Sequence, residues 1–101
     1  MESSVFDALP LHDAVVSAIE IDWEKKQCRF HLSAFARSGN DATPHLLTFE
    51  GVTWLSMPHN EPWGSSSSVN SASSAGGGFR IEMQSGDVIE IKATSYAFSA
   101  L

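Results

Sequence analysis

Period-two alternation of apolar and polar residues constrains this chain more than any other feature. Ile19, Ile21 and Trp23 alternate with Glu20, Asp22 and Glu24. After a short break, Cys28, Phe30 and Leu32 alternate with Arg29, His31 and Ser33. Further on, Phe79, Ile81 and Met83 alternate with Arg80 and Glu82, and Ile89, Ile91 and Ala93 with Glu90 and Lys92. Successive strand residues point to opposite faces, so such runs predict strands with one buried face.

The first two runs predict a hairpin. Pairing Trp23 with Cys28 sets Ile21 against Phe30 and Ile19 against Leu32. On the other face, Asp22 then meets Arg29 and Glu20 meets His31, the pattern that cross-strand pairing favours. Val15, Val16 and Ile19 also fit a helical spacing with Asp13 as its cap, but the β-branched run favours a strand. The later runs predict a second hairpin around Gln84-Ser85-Gly86, a three-residue loop with a left-handed glycine. Ile81 then faces Ile89, Phe79 faces Ile91, and Arg80 opposes Glu90.

Between the hairpins, "RSGNDATP" is a turn cluster and "HLLTFEGVTWLSM" a further strand. Gly51 there suits a bulge that re-aims Val52 and Trp54 inward. Tyr96 and Phe98 extend or close the last strand. The expectation is an all-β chain of about five main strands, 15–24, 28–36, 45–56, 78–84 and 87–98. They form a single small antiparallel sheet, a sandwich or a half-barrel. One domain spans residues 1–101. Residues 1–14 form an irregular arm that pins Phe6 and Leu11, and Pro10 keeps Leu9 extended.

Residues 57–78 read as a long internal loop, because neither flank is large enough for a core of its own. Pro58, Pro62 and Trp63 predict an ordered part over 58–70, anchored on the sheet. The Ser, Ala and Gly of 71–78 predict a mobile or loosely exposed return.

Composition and spacing exclude more functions than they suggest. Six Lys and Arg stand against twelve Asp and Glu, for a net charge of −6. Phosphate binding needs clustered cations, so nucleic acid is not the expected partner. Cys28 is the only cysteine, so no disulfide closes within the chain. Its place on the apolar face predicts an inert, buried thiol. Ser65 to Ser68 lack the Gly-x-Ser-x-Gly turn of a nucleophile elbow. His12, His31, His45 and His59 have no metal-ligand spacing, and neither a metal nor another cofactor is expected. Glu20, Asp22 and Glu24 have the spacing of paired carboxylates, but a solvated strand face gives the same row. "GGG" and "SGD" lack the features of a phosphate loop. No leader or membrane-length apolar run is visible, so no membrane partner is expected and a cytoplasmic location is the default.

What remains is the stretch "MPHNEPWG". A loop tryptophan held by a rigid sheet suits a binding surface. The plainer reading folds Trp63 back over an open end of the sheet. The expected partner-binding residues are His59, Asn60, Glu61, Trp63 and Asn70 of the loop, with Glu20 and Asp22 of the acidic strand face.

The phrases "LHDAVVSAIEIDWE", "EPWGSSSSVNS" and "RIEMQSGDVIEIKA" resemble a group of small bacterial proteins of unassigned function. That resemblance spans His12 to Ala93 and carries no reaction with it. Its matching positions are His12, Asp13, Pro62, Trp63, Gly64, Asn70, Gln84 and Asp87. Some relatives look similar to immunity proteins of bacterial toxin systems, which implies binding and neutralising a toxin.

The first expectation is therefore a non-catalytic protein-binding module, immunity-like, with a basic partner steered by the acidic surface. An enzyme stays open as the alternative: a small hydrolase or ligand-binding half-barrel with a pocket around Trp63, His59 and His12. A homo-oligomer through an edge strand, most simply the last one, is a third.

Overall fold

The computed structural model describes residues 6–35 and 41–101. Residues 1–5 of the expected arm lie outside the described residues. So do residues 36–40, which hold the end of the second expected strand and the first half of the expected turn.

The chain is all-β. In order come β1 (Val15–Asp22), β2 (Gln27–Ala34), β3 (Thr43–Glu50), β4 (Trp54–Ser56), β5 (Val69–Ala75), β6 (Gly78–Met83), β7 (Val88–Lys92) and β8 (Ser95–Ala100). They form two four-stranded antiparallel sheets, β1-β2-β3-β8 and β4-β7-β6-β5, which do not close into a barrel. The expected five strands become eight because two of them cross between sheets and the expected loop contains a further strand, β5. The run 45–56 breaks at Gly51 into β3 and β4, and the run 87–98 breaks at Ala93 and Thr94 into β7 and β8. The two breaks meet in one corner, where Thr94 gives its N–H (2.9 Å) and its hydroxyl (3.0 Å) to the carbonyl oxygen of Glu50.

Alternation builds the core. Cys28, Phe30, Leu32 and Ala34 of β2 and Leu47 and Phe49 of β3 are buried, as are Ile81, Met83, Ile89 and Ile91 of the other sheet. The arm adds Phe6, which is fully buried. Its ring meets Phe79 at 4.8 Å and Tyr96 at 5.0 Å, both edge-on. Leu11 is buried as well. The β6–β7 hairpin has the expected register, with Ile81 opposite Ile89, Phe79 opposite Ile91 and Arg80 opposite Glu90.

The β1–β2 hairpin departs from expectation by two residues. Ile21 pairs with Cys28 and Ile19 with Phe30, and the closing pair is Asp22 with Gln27. The turn is Trp23 to Lys26. Asp22 Oδ1 accepts the Lys25 N–H at 2.9 Å, and Lys26 adopts a positive φ of 55°. Aspartate reaching the backbone a few residues on is a standard way to hold a turn. A bulge at Ser17 restores the pairing of Val16 with Leu32. Parity survives the shift, so Ile19 and Ile21 still share the face of Phe30 and Cys28. They are nevertheless 36% and 53% exposed, and Trp23, in the turn, is 90% exposed. Facing inward does not guarantee cover. β1 ends its sheet, and β4, which ends the other, has three residues. Trp54, expected to turn inward, is 46% exposed for the same reason.

The second correction concerns the loop 57–78. Val69–Ala75 is a strand, β5, paired with β6 through Ala72 with Ile81 and Ser74 with Phe79. The turn is Gly76-Gly77, with φ of 59° and 79°. Two successive left-handed residues make the primed turn that suits a tight hairpin, and glycine takes them without a Cβ penalty. A chain segment poor in intrinsic β-formers is thus placed by its turn and by its partner strand.

Candidate functional site

Two regions collect the residues singled out above. The first is the end of the molecule around the β6–β7 turn. Asp87, just past that turn, is 5% exposed. Its Oδ1 accepts the Asn60 N–H at 2.8 Å. Its Oδ2 accepts the Glu61 N–H at 3.0 Å and the Ser85 hydroxyl at 2.8 Å. Burial opposes its charge. The hydrogen bonds from Asn60, Ser85 and Glu61, with His59 nearby, outweigh burial and hold the carboxyl below the ordinary aspartate value. The Trp63 N–H donates to Ser85 O at 2.9 Å. The Trp63 ring lies against Gly86, where an added Cβ would come within 2.8 Å of Trp63 Cδ2 and 2.9 Å of Pro62 Cγ. Gly86 also has a φ of 95°, so no other residue fits that turn well.

The arm joins the same end. Gln84 Nε2 donates to Asp13 Oδ1 at 2.6 Å and sits 3.3 Å from Val69 O. His12 Nδ1 donates to Asn70 O at 2.7 Å, and its Nε2 is 3.5 Å from Asp13 Oδ2. The three phrases that carry the resemblance are therefore brought together by the fold, although they are far apart in sequence. Their polar groups bond mainly to one another. The 58–70 segment is held to the sheet by its backbone on Asp87 and Ser85, not by burial of Trp63, which stays 77% exposed. His59 points outward, 82% exposed on its side chain, with Glu61 at 3.6 Å.

The second region is the open side between β1 and β4. A groove of about 530 Å³ is lined by Ile21, Asp22, Trp23 and Lys26 of the β1–β2 hairpin and by Val52, Trp54 and Leu55. The Lys92 ammonium sits 5.5 Å from the Trp54 ring. Further along β1, Val16 and Ile19 line a second groove of about 340 Å³ with Met57, Pro58 and His59. One strand thus connects the two grooves, and His59 of the loop joins the second. Exposed apolar area gathered along one side marks a contact surface more often than a solvent face.

Glu20 and Asp22 share the other parity of β1, and Asp22, at the end of the strand, also lines the first groove. Glu20 stands opposite Arg29 instead of His31, yet its Oε1 reaches both, at 3.3 Å from Arg29 Nη2 and 2.7 Å from His31 Nε2. The hydrogen bond from His31, against some desolvation and with the charge of Arg29, holds Glu20 below its ordinary range. Asp22 stands opposite Gln27 instead of Arg29. Cys28 is buried, and desolvation pushes its thiol up to about 11. No group of three or more His, Cys, Asp or Glu that could hold a metal ion occurs among the described residues. Nor is any helix among them long and apolar enough to cross a membrane.

Sequence reading had not selected Trp54, nor Ile19, Ile21 and Trp23 as exposed groups. Alternation names a face, and nothing in one sequence tells whether a second sheet reaches across it. The chain matches no family model, no curated protein and no solved structure.

Proposed function

We propose that this chain is a non-catalytic protein-binding module that engages its partner through the open side between β1 and β4. The observation that carries this reading is the placing of tryptophan. All three tryptophans of the chain are exposed, Trp23 at 90%, Trp63 at 77% and Trp54 at 46%. A tryptophan carries a large apolar surface that folding normally hides, and it dominates interface energetics when a partner covers it. Two of the three flank one groove. The loop residues His59, Glu61 and Trp63 extend the surface at the other end, and Asn60 and Asn70 act as backbone anchors there.

The finer reading is an immunity-like inhibitor, which rests on the resemblance of the three phrases and on the acidic balance of the chain. An acidic protein associates fastest with a basic target, and blocking a toxin needs no catalytic group. The test uses lysate of the native host. Wild-type protein, Trp23→Ser/Trp54→Ser and Trp63→Ala serve as baits at matched folding. The expected result is one saturable, stoichiometric partner held by wild type and lost by the groove variant, with co-expression relieving any toxicity of that partner. Equal capture by wild type and the groove variant would remove the open side from the argument.

A further inference from the structure

We infer that the free edge of β1, from Ser17 to Asp22, receives an extended segment of a partner protein in which apolar and basic residues alternate. This rests on the reading of the chain as a protein-binding module and names the partner's chemistry.

The edge is available and of useful length. Val16 gives its N–H to Ser67 O at 2.9 Å, and Val15 bridges to Ser68, so the loop covers the start of β1. Beyond that point β1 is the end of its sheet, and no described strand lies on its outer side. Six residues offer about 20 Å of unpaired backbone. Sheet edges are commonly protected by lysine, proline, bulges or covering segments. The other apolar-lined edge of the groove, β4, has three residues. The β5 edge is covered by the arm: Asp7 Oδ1 accepts the Ser74 N–H at 2.8 Å, Asp13 donates to Val69 O at 2.8 Å, and Val69 donates to Ala14 O at 2.8 Å. The bulge of β1 lies at Ser17, so Ala18 to Asp22 has no such device.

The two faces beside this edge differ in chemistry. On the groove side stand Ile19, Ile21 and Trp23, with Trp54 and Leu55 across from them. Among the described residues the outer face carries Glu20, Asp22 and, two strands further in, Glu50, against the guanidinium of Arg29 and the imidazole of His31. A strand added to β1 sends alternate side chains to these two faces. Apolar residues suit the groove, and cations suit the carboxylate row. Lys26 and Asp22 both line the groove and offset one another, so the apolar row of Ile19, Ile21 and Trp23 sets the phase. A second copy of the chain fits poorly. Antiparallel pairing of two β1 edges brings one row of Glu20 and Asp22 beside the other, and like charges across a pair are destabilising.

The test uses the intact protein and a capped peptide of about nine residues, alternating valine and lysine, long enough to span the edge. Controls replace lysine by glutamate, or N-methylate alternate residues so that side chains stay and strand hydrogen bonds are lost. Binding is read by tryptophan fluorescence and by amide exchange along β1. The expected result is that the lysine peptide binds at least about tenfold tighter than the glutamate peptide at low salt, with the gap closing as salt rises. N-methylation costs at least about tenfold, and slowed exchange is confined to Ile19 and Ile21 and their neighbours. Glu20→Gln/Asp22→Asn, in which the asparagine Oδ1 can still accept the Lys25 N–H, narrows the gap between the two peptides, with amide exchange outside β1 as the check that the fold is kept. Equal binding of the N-methylated peptide overturns strand addition while leaving the groove as a protein-binding surface. Lack of binding by any peptide overturns it too, and the Trp23/Trp54 capture experiment then decides separately whether the open side binds protein. A concentration-dependent dimer with β1 protected assigns the edge to a second copy and also overturns the inference.

Discussion

The end around Asp87 and the open side along β1 are opposites in construction. Around Asp87, polar groups from the arm, the loop and the hairpin converge and mainly satisfy one another. Along β1, Val16 packs against the core, but Ile19 and Ile21 face inward and stay 36% and 53% exposed. Convergence of polar residues resembles a site in sequence, but here most of their hydrogen-bonding capacity goes into holding the fold. The open side mixes polar residues such as Asp22, Lys26 and Gln27 with exposed apolar ones, and Ile21, Trp23 and Trp54 there leave contact area unused. The difference teaches that vacancy, and not the density of interesting residues, separates a surface left open for contact from one that braces.

The largest expected effect tests the brace. Asp87→Ala leaves the N–H groups of Asn60 and Glu61 without their acceptor, and the thermal midpoint should fall by roughly 10 °C or more. A melt within a few degrees of wild type would show that the loop is held by something else. Acid should act through the same group. Because the folded-state pKa of Asp87 is depressed, its contribution is complete above the ordinary aspartate value and is lost as pH falls through the folded value. The stability gap between wild type and Asp87→Asn should therefore shrink below about pH 4, measured by melts at several pH values. A gap that widens in acid would contradict the assignment.

Gly86→Ala should cost about 1–2 kcal/mol, since it adds a Cβ at positive φ against the Trp63 ring. Denaturant unfolding measures it. On the open side, Trp23→Ser should change stability by no more than about 0.5 kcal/mol, because an exposed turn residue contributes little to folding. If Trp23→Ser destabilises like Asp87→Ala, the contrast between the two regions collapses. The smallest change is expected at Cys28. Its buried thiol, pushed up to about 11 by desolvation, should resist maleimide in wild type and Trp23→Ser alike. It should react faster in Asp87→Ala, where opening of the core is more frequent.

Much of the scaffold was legible from residues alone. The β6–β7 register followed from Ile81, Ile89, Phe79 and Ile91, because two rows of apolar side chains match in only one way around a three-residue turn. The β1–β2 hairpin was legible in kind and off by two residues, since a four-residue turn fits equally well on either side of Trp23 and the Asp22 bond to Lys25 decides. The strand β5 was not legible. Val69, Ala72 and Ser74 carry too little apolar contrast, and only the Gly76-Gly77 turn beside the strong β6 pattern pointed to a hairpin. Among the expected site residues, the structure joins Asn60, Glu61, Trp63 and Asn70 at one end and separates them from Glu20 and Asp22. The resemblance positions Asp13, Gln84 and Asp87 carry no role in the sequence alone, because contacts over 71 residues from Asp13 to Gln84 and over 26 and 27 residues to Asp87 leave no periodic trace.

By itself, then, the sequence determined the all-β class, the parity of each strong strand, the acidic balance and the turn chemistry. These depend on neighbours two to a few residues away. Tertiary structure decided which strands change sheet at the Glu50–Thr94 corner, that the low-contrast segment before Gly76 pairs with β6, and that Ile19 and Ile21 of β1 are only partly covered. Those outcomes depend on where strand ends fall in space and on how far the short strand β4 reaches, and local alternation carries no information about either.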